Sequence, residues 1–486
     1  MAKVGLYEPV SLLYNGSSMS ESSKQNIFST VAIVGGGASG TALLYTLARY
    51  TNIERIILLE KYDQVGQVNS HAKNNSQTLH VGDIETNYSI EKVRQVKPAA
   101  MMVKYYTDRL SAQTRDSVIR RTQKMILAVG EKEVTELEKR YVALKEIFPE
   151  LKRLGREEIA ALEPEVMVGR NPKEPVLALF NHEGYAVNFG TLAESFIQEA
   201  KKETNKRIEI HLGEAVVKIQ KNKAGGYTLE TNKEKIQAEV VVFDTDAYSL
   251  GFAKSLGLGE DFSLIPIAGT FYFSSERLKG KVYTMQEQRL PFAAVHGDPD
   301  VNVPDKTRWG PTARFFPVLE SRNLKTMKDY FHSAGLLKWR TWKSFLIILF
   351  EPIRFVYLFK NILYELPYFG KYFFVSNIQK IIPTIRARDL KRAKGFGGMR
   401  LQRVDITKSE LQLGEGKIIG ENIIFNMTPS PGASVCLYNG MRDAELIMKF
   451  FGGKYTFDKE QMSRDLAHQD TPLESLDVSL KQSYSS

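Results

Sequence analysis

Three glycines and a glutamate near the start of the chain have the types and spacing to hold a charged cofactor. Gly35, Gly37 and Gly40 lie in GGGASG, and Glu60 follows 20 residues after Gly40. That spacing provides a tight turn at Gly35, close backbone approach to a pyrophosphate at Gly37, and helix-on-strand packing at Gly40. The helix that follows would offer backbone N–H groups and its positive dipole end to the phosphates. Glu60 stands where a ribose hydroxyl needs an acceptor. The apolar run VAIV precedes the glycines and RIILLE ends on Glu60, so both flanks of a strand–helix–strand unit are present. The expectation is a bound adenine dinucleotide.

The rest of the chain must position that unit and bring a reactant to it. Its 486 residues suffice for two or three domains, and 43% apolar with 25% charged residues is a globular composition. The single cysteine, Cys436, excludes intrachain disulfides and cysteine-cluster metal sites and fits a reducing compartment. No spacing among the seven histidines resembles a metal site. The formal charge of +10 is concentrated: residues 338–394 hold 12 Lys or Arg against 3 Asp or Glu, an excess of +9. A basic face toward an anionic surface follows. Nucleic acid is disfavoured, because the basic residues there are interleaved with long aliphatic runs. The N-terminus has no sustained apolar region of a signal peptide, and no spanning helix is convincing.

In chain order, residues 1–27 read as an extension and 28–95 as the first part of the nucleotide domain. The polar stretch 66–88 reads as a loop lining the cofactor. From 89 to 163 charged and apolar residues recur at helical spacing, with breaks expected near Pro98 and Pro164. Residues 188–262 return to the nucleotide sheet. The segment 264–322 is a series of short β-type runs, the mark of a second, mostly antiparallel domain. Segment 337–382 reads as two or three helices broken near Pro352 and Pro367, either a cap on that domain or an amphipathic surface in the headgroup layer, with Trp339, Arg340, Trp342 and Lys343 at the interface. Residues 397–454 run strand, loop, helix back to the nucleotide domain, and 455–486 read as a polar tail.

Several further motifs accompany the fingerprint: NNSQTLHVGDIETNY at 74–88, NFGTLAESF at 188–196, AVHGDPDVNVPDKTRWGP at 294–311, GGMRLQRVD at 397–405 and TPSPGAS at 428–434. Together they resemble the FAD-dependent oxidoreductases of the malate:quinone oxidoreductase and L-2-hydroxyglutarate oxidase group, over about residues 30–452. The resemblance implies an α/β, Rossmann-type FAD-binding domain of the glutathione-reductase/D-amino-acid-oxidase-like class with an α+β substrate domain over 263–396; residues 96–187 would be a helical connecting region.

It also implies roles. Gly35, Gly37, Ala38, Ser39 and Gly40 would meet the pyrophosphate, and Glu60 with Lys61 the adenosine end. Ser76, Gly432, Ala433 and Ser434 would approach the flavin. A hydroxyacid dianion needs guanidinium partners, for which Arg400 is the first choice, Arg308 the second and Arg314 weaker. His80 and His296 are the candidates for the base that takes the hydroxyl proton; His71 is a further candidate for lining the FAD site. Gln77 and Leu79 depart from the malate group, which has small residues there, while GDIETNY favours malate over 2-hydroxyglutarate. The implied function is oxidation of (S)-malate to oxaloacetate with electrons passed to a membrane quinone, by an enzyme resting peripherally on the cytoplasmic face of an anionic membrane. A 2-hydroxyglutarate oxidase and an amino-acid-oxidase-like flavoenzyme are the alternatives.

Overall fold

A computed structural model describes residues 26–286, 294–300, 302–412, 416–427 and 431–467. The glycine fingerprint lies where the sequence puts it, between strand β1 (Asn26–Val34) and helix α1 (Ala38–Tyr50), with strand β2 (Arg55–Glu60) beside β1 in parallel register. β1 is also parallel to strand Lys235–Phe243, which in turn pairs in parallel with Ile423–Met427; Arg207–Leu212 extends the sheet beyond β2. Such strands are apolar on both faces because both faces are covered. Val31 and Ile33 pack with the helices α1, Phe189–Ala200 and Cys436–Phe450, whereas Ala32 and Val34 pack toward the other side with Ile219, Leu229 and Leu250. This is the expected Rossmann-type layer, assembled from three separated parts of the chain.

An eight-stranded sheet forms the second layer system, in the order 391–392, 272–275, 306–310, 296–299, 281–284, 119–129, 176–187, 152–154. All its pairings are antiparallel except that of Lys281–Thr284 with Ile119–Val129. A separate four-stranded antiparallel sheet pairs Phe262–Ala268 with Met399–Asp405.

The structure corrects the helical reading of 89–163 in three places, the shortest being the edge strand Lys152–Leu154. Helix Ile90–Asp108 runs through Pro98 without ending. A proline there removes one N–H bond, but Val93, Val96, Ala99, Ala100, Met102 and Val103 are buried on either side of it, and that continuous packing holds the helix. Residues 119–129, IRRTQKMILAV, are a strand in the middle of the large sheet rather than a helix. The helices Trp339–Leu349, Pro352–Tyr364 and Gly370–Gln379 break at the two prolines as expected. Residues 459–466, read as tail, form a helix that buries Met462 and Leu466 against the core containing α1 and the 90–108 helix. Residues 468–486 of that tail, His468 among them, and the extension up to residue 25 lie outside the described residues.

Candidate active site

At the nucleotide end the glycines are demanded by contact. Gly35 has φ +114° and an added Cβ would lie 2.4 Å from the Asp244 carbonyl oxygen; at Gly40 it would lie 2.0 Å from the Gly35 carbonyl. Gly37 caps α1 without a side-chain bond, and the first turn, Ala38 and Ser39 included, carries no acidic residue. Ser70 Oγ accepts the Ala38 N–H at 2.9 Å. Glu60 takes the N–H groups of Gly36 (2.7 Å) and Tyr62 (2.9 Å), and burial raises its carboxyl above the usual range. Lys61 does not join them: its ammonium pairs with Glu320 and lies 4.0 Å over the Tyr248 ring, so it braces the sheet edge. The glycine turn, the acid-free helix N-terminus and Glu60 fit the pyrophosphate and ribose of an adenine dinucleotide.

The reacting end depends on whether the 74–88 loop, the 397–405 segment and the late 431–434 turn meet, and they do. The Gly397 N–H donates to the Lys73 carbonyl at 2.8 Å, and a Cβ at Gly398 would lie 2.1 Å from the Asn74 carbonyl oxygen. The His80 N–H donates to Ser434 Oγ at 3.0 Å. Gly432 and Ala433 form the turn just before, closed by Ser434 N–H to the Pro431 carbonyl at 2.7 Å. The loop is pinned from within by Asn75 Nδ2, which reaches the carbonyls of Asn69, Ser70 and His71. Gln77 and Leu79 are fully buried: Gln77 bonds the Ala72 carbonyl and Leu79 packs in the core, so neither crowds a ligand from the surface of the loop. His71 caps a short helical turn through Lys73 N–H.

The two candidate histidines differ sharply. His80 lies in a chain of contacts, with Nε2 3.0 Å from Ser76 Oγ and Nδ1 against Glu85. Burial would raise the Glu85 carboxyl, but His80 and Lys124 beside it hold it below the usual range. His296 is buried, stacked on Tyr283 with ring centroids 4.5 Å apart, and its Nε2 is 3.6 Å from Asp298. Burial, reinforced by Lys281 and Arg308 against the pull of Asp298, pushes its pKa down to about 3.

The arginines divide the same way. Arg308 is fully buried; its guanidinium donates to Asp298 (2.9 Å) and to the carbonyls of Asn75 and Ser76 (3.2 Å each) and forms an ion pair with Asp300 (3.2 Å). These contacts secure the loop, and only its buried Nε is left without a hydrogen-bond partner among the described residues. Arg400 is half-buried on Met399–Asp405, and among the described residues no hydrogen bond or ion pair engages it. Burial lowers its pKa, and its electrostatic neighbours are the phenols of Tyr357, Tyr283 and Tyr88. Arg314 lies over Phe316 and 3.9 Å from Glu365.

A family model described as malate:quinone oxidoreductase matches residues 28–465. The chain belongs to the malate:quinone oxidoreductase family. Relatives within it include proteins named probable malate:quinone oxidoreductase from Helicobacter pylori, 41% identical over 90% of this chain and 98% of theirs, and from Campylobacter jejuni, 42% identical over 88% and 97%. Membership bears out the resemblance carried by the motifs, and on its malate side. Solved structures of similar fold include the FAD-bound L-α-glycerophosphate oxidase of Mycoplasma pneumoniae (TM-score 0.59, 17% identity, 88% of this chain and 96% of that one) and glycine oxidase of Geobacillus kaustophilus (0.58, 16%, 87% and 95%). At that identity the likeness shows the fold, and it agrees with the expected class.

Two features of the site were missed in the sequence. Glu85 stands five residues after His80 in the same loop, a spacing that could have marked it as the partner of a histidine. Tyr357 reaches Arg400 from a distant helix, and no local pattern announces it. The structure also gathers His211, Glu214 and Glu234 with possible ligand atoms within 4.8 Å of one another, which linear spacing did not suggest. The carboxylates there contact the imidazole directly, Glu214 at 3.0 Å and Glu234 at 3.3 Å.

Proposed function

We propose that this chain oxidises (S)-malate to oxaloacetate with bound FAD and delivers the electrons to a membrane quinone. The observation that carries the reading is an unpartnered Arg400 on one of the three segments that converge around the Ser76–His80–Glu85 chain. FAD, when bound, supplies the two-electron acceptor. Gly35, Gly37, Ala38, Ser39, Gly40 and Glu60 would hold its adenosine diphosphate end, and Ser76 with Gly432, Ala433 and Ser434 its other end. Arg400 binds a substrate carboxylate through two parallel N–H bonds, a geometry that lysine does not offer. His80 takes the hydroxyl proton at Nε2, which has the Ser76 hydroxyl beside it, while Nδ1 is held against Glu85. His296, kept neutral and enclosed, supports Tyr283 and the loop instead.

Quinone delivery rests on the surface of the 337–382 helices. Trp339 is 73% exposed, and Trp342, Phe350, Phe355 and Phe359 also face outward, with Arg340 and Lys343 among them. Phe345, Ile348 and Leu358 on the same helices are buried in the core. Amphipathic helices with aromatic and basic residues on the open side rest in a headgroup layer. Among the described residues no helix is long and apolar enough to cross a membrane, so contact would be peripheral, on the anionic cytoplasmic face. Helix Pro352–Tyr364 joins the two functions: it shows Phe355 and Phe359 to the bilayer and packs Tyr357 inward beside Arg400.

Anaerobic flavin bleaching by malate, 2-hydroxyglutarate and amino acids in turn, followed by reoxidation with a ubiquinone or menaquinone analogue, tests this reading. Rapid bleaching by malate and reoxidation by quinone are expected. Bleaching by 2-hydroxyglutarate alone would replace malate as substrate, and a protein that all three leave oxidised would end the enzymatic reading.

A further inference from the structure

We propose that Glu85 is a positioning residue for the oxidation: it fixes His80 with its proton on Nδ1, so that Nε2 accepts the substrate proton through the hydroxyl of Ser76. This deepens the reading above and rests on it. An ionised carboxylate has only lone pairs, so the hydrogen between Glu85 and Nδ1 belongs to the imidazole. Nε2 is then an acceptor, and the donor beside it is Ser76 Oγ at 3.0 Å. Having given its hydrogen to Nε2, the serine oxygen retains lone pairs for an incoming hydroxyl. In the reaction the substrate O–H bond breaks and its proton passes to Ser76 Oγ as the serine proton passes to Nε2. The C2–O bond becomes a carbonyl, and the hydrogen of C2 leaves with its electron pair to the oxidant of the proposed activity. The imidazolium so formed lies against Glu85.

The main chain around Glu85 is held without its side chain. Arg140, from helix Glu131–Ile147, donates to the carbonyls of Glu85 and Tyr88 at 2.8 Å each, and the Leu79 N–H bonds the Tyr185 carbonyl at 3.0 Å. The Glu85 carboxylate is buried, its Oε2 has no hydrogen-bond partner, and its one side-chain bond goes to His80. The charged and titratable groups facing it from neighbouring elements are Lys124 on Ile119–Val129, Arg140 and the Tyr283 phenol. Lys124 is itself paired with Asp83 at 2.7 Å. The imidazole is therefore the one cation-forming group left for Glu85 to orient.

The test uses FAD-loaded wild type, Glu85→Gln and Ser76→Ala. Anaerobic flavin bleaching by malate is followed from pH 5 to 9, and the ring nitrogens of His80 are read by 15N NMR without malate. Expected are an Nδ1-protonated His80 in the wild type, a bleaching rate about 10²-fold lower or more in Glu85→Gln, and an acidic limb of its pH–rate profile at lower pH, since an imidazolium without its carboxylate forms less readily. Ser76→Ala should slow bleaching while leaving the Nδ1 proton in place. Equal rates and limbs in wild type and Glu85→Gln, or an Nε2-protonated His80 in the wild type, would overturn the proposal. A wild type that malate fails to bleach would instead overturn the functional reading, and the proton-transfer role with it.

Discussion

Strands 296–299 and 306–310 carry His296 and Arg308; the 74–88 loop and strand 399–405 carry His80 and Arg400. In the first region Arg308, Lys281, Asp298 and Asp300 form a buried ionic lattice, with His296 enclosed beside it. In the second, Arg400 has no acidic partner among the described residues, and His80 holds one nitrogen against Glu85 and the other toward a serine. A guanidinium tied to carboxylates and main-chain carbonyls fixes backbone, and one without an ion pair carries an electrostatic cost that a ligand carboxylate would relieve. The contrast separates groups that build the loop from groups that use it.

The largest effect should come from the lattice. Arg308→Ala takes the cation from buried Asp300 and leaves Asp298 to Lys281 alone, and is expected to cost about 3–5 kcal/mol of stability, read by chemical denaturation. If it folds with wild-type stability and loses only malate binding, the two regions have been assigned the wrong way round. Arg400→Ala should do the converse. Stability and FAD content are retained, because no ion pair is broken, while kcat/KM for malate falls by about 10²-fold, in line with about 2–4 kcal/mol for loss of a charge-paired contact. Undiminished bleaching by malate in that variant would remove the carboxylate clamp.

His296 should also show itself in how stability depends on pH. Burial depresses His296 from its ordinary 6.5 to about 3. As pH falls below 6.5 the unfolded chain takes up a proton that the folded protein refuses until about pH 3, so this group makes the protein less stable through that window. His296→Gln should flatten the part of the acid-side loss that this group causes, in a smaller effect than either arginine change. A curve unchanged by the substitution would mean that His296 titrates normally, and it would then return as a candidate base.

Much of this contrast was legible in sequence, and its failures have identifiable causes. The β1–α1–β2 unit could be read because its signals are local: glycines at fixed offsets, an apolar strand on each side. His80 and Arg400 could be marked through the motifs around them. That Arg308 is paired could not be seen in the same way, because its partner arrives by strand pairing. Asp298 sits directly opposite Arg308 in the antiparallel ladder, and opposite charges at cross-strand positions attract. Reading DPD and TRWG as two sides of one hairpin would have exposed the pair. Strand 119–129 was hidden for a related reason. Its charged first half masks the period, and its neighbours 176–187 and 281–284 are far along the chain. Lys61 adjoins Glu60 in sequence, yet it lies just past the strand end, where both its ammonium and the Tyr62 hydroxyl turn to Glu320.

The distinction between paired and unpaired charge reaches the surface, where it gives the smallest effect. Lys338 is paired with Glu260 and Lys380 with Glu133, whereas Arg340 and Lys343, each next to an exposed tryptophan, have no ion pair among the described residues. If those two face an anionic bilayer, each contributes about 1 kcal/mol to binding within a Debye length of the surface. Arg340→Gln with Lys343→Gln should then weaken binding to phosphatidylserine vesicles in flotation by roughly 30-fold, with the difference shrinking at high salt. Malate bleaching in solution should be unchanged, since neither residue approaches the reacting end. Phe355→Ser with Phe359→Ser should weaken flotation to an extent that salt does not alter, because burial of apolar surface is unscreened. A protein that floats equally well after both double substitutions docks by another face, and the inward Tyr357 would then lose its connection to the bilayer while keeping its place beside Arg400.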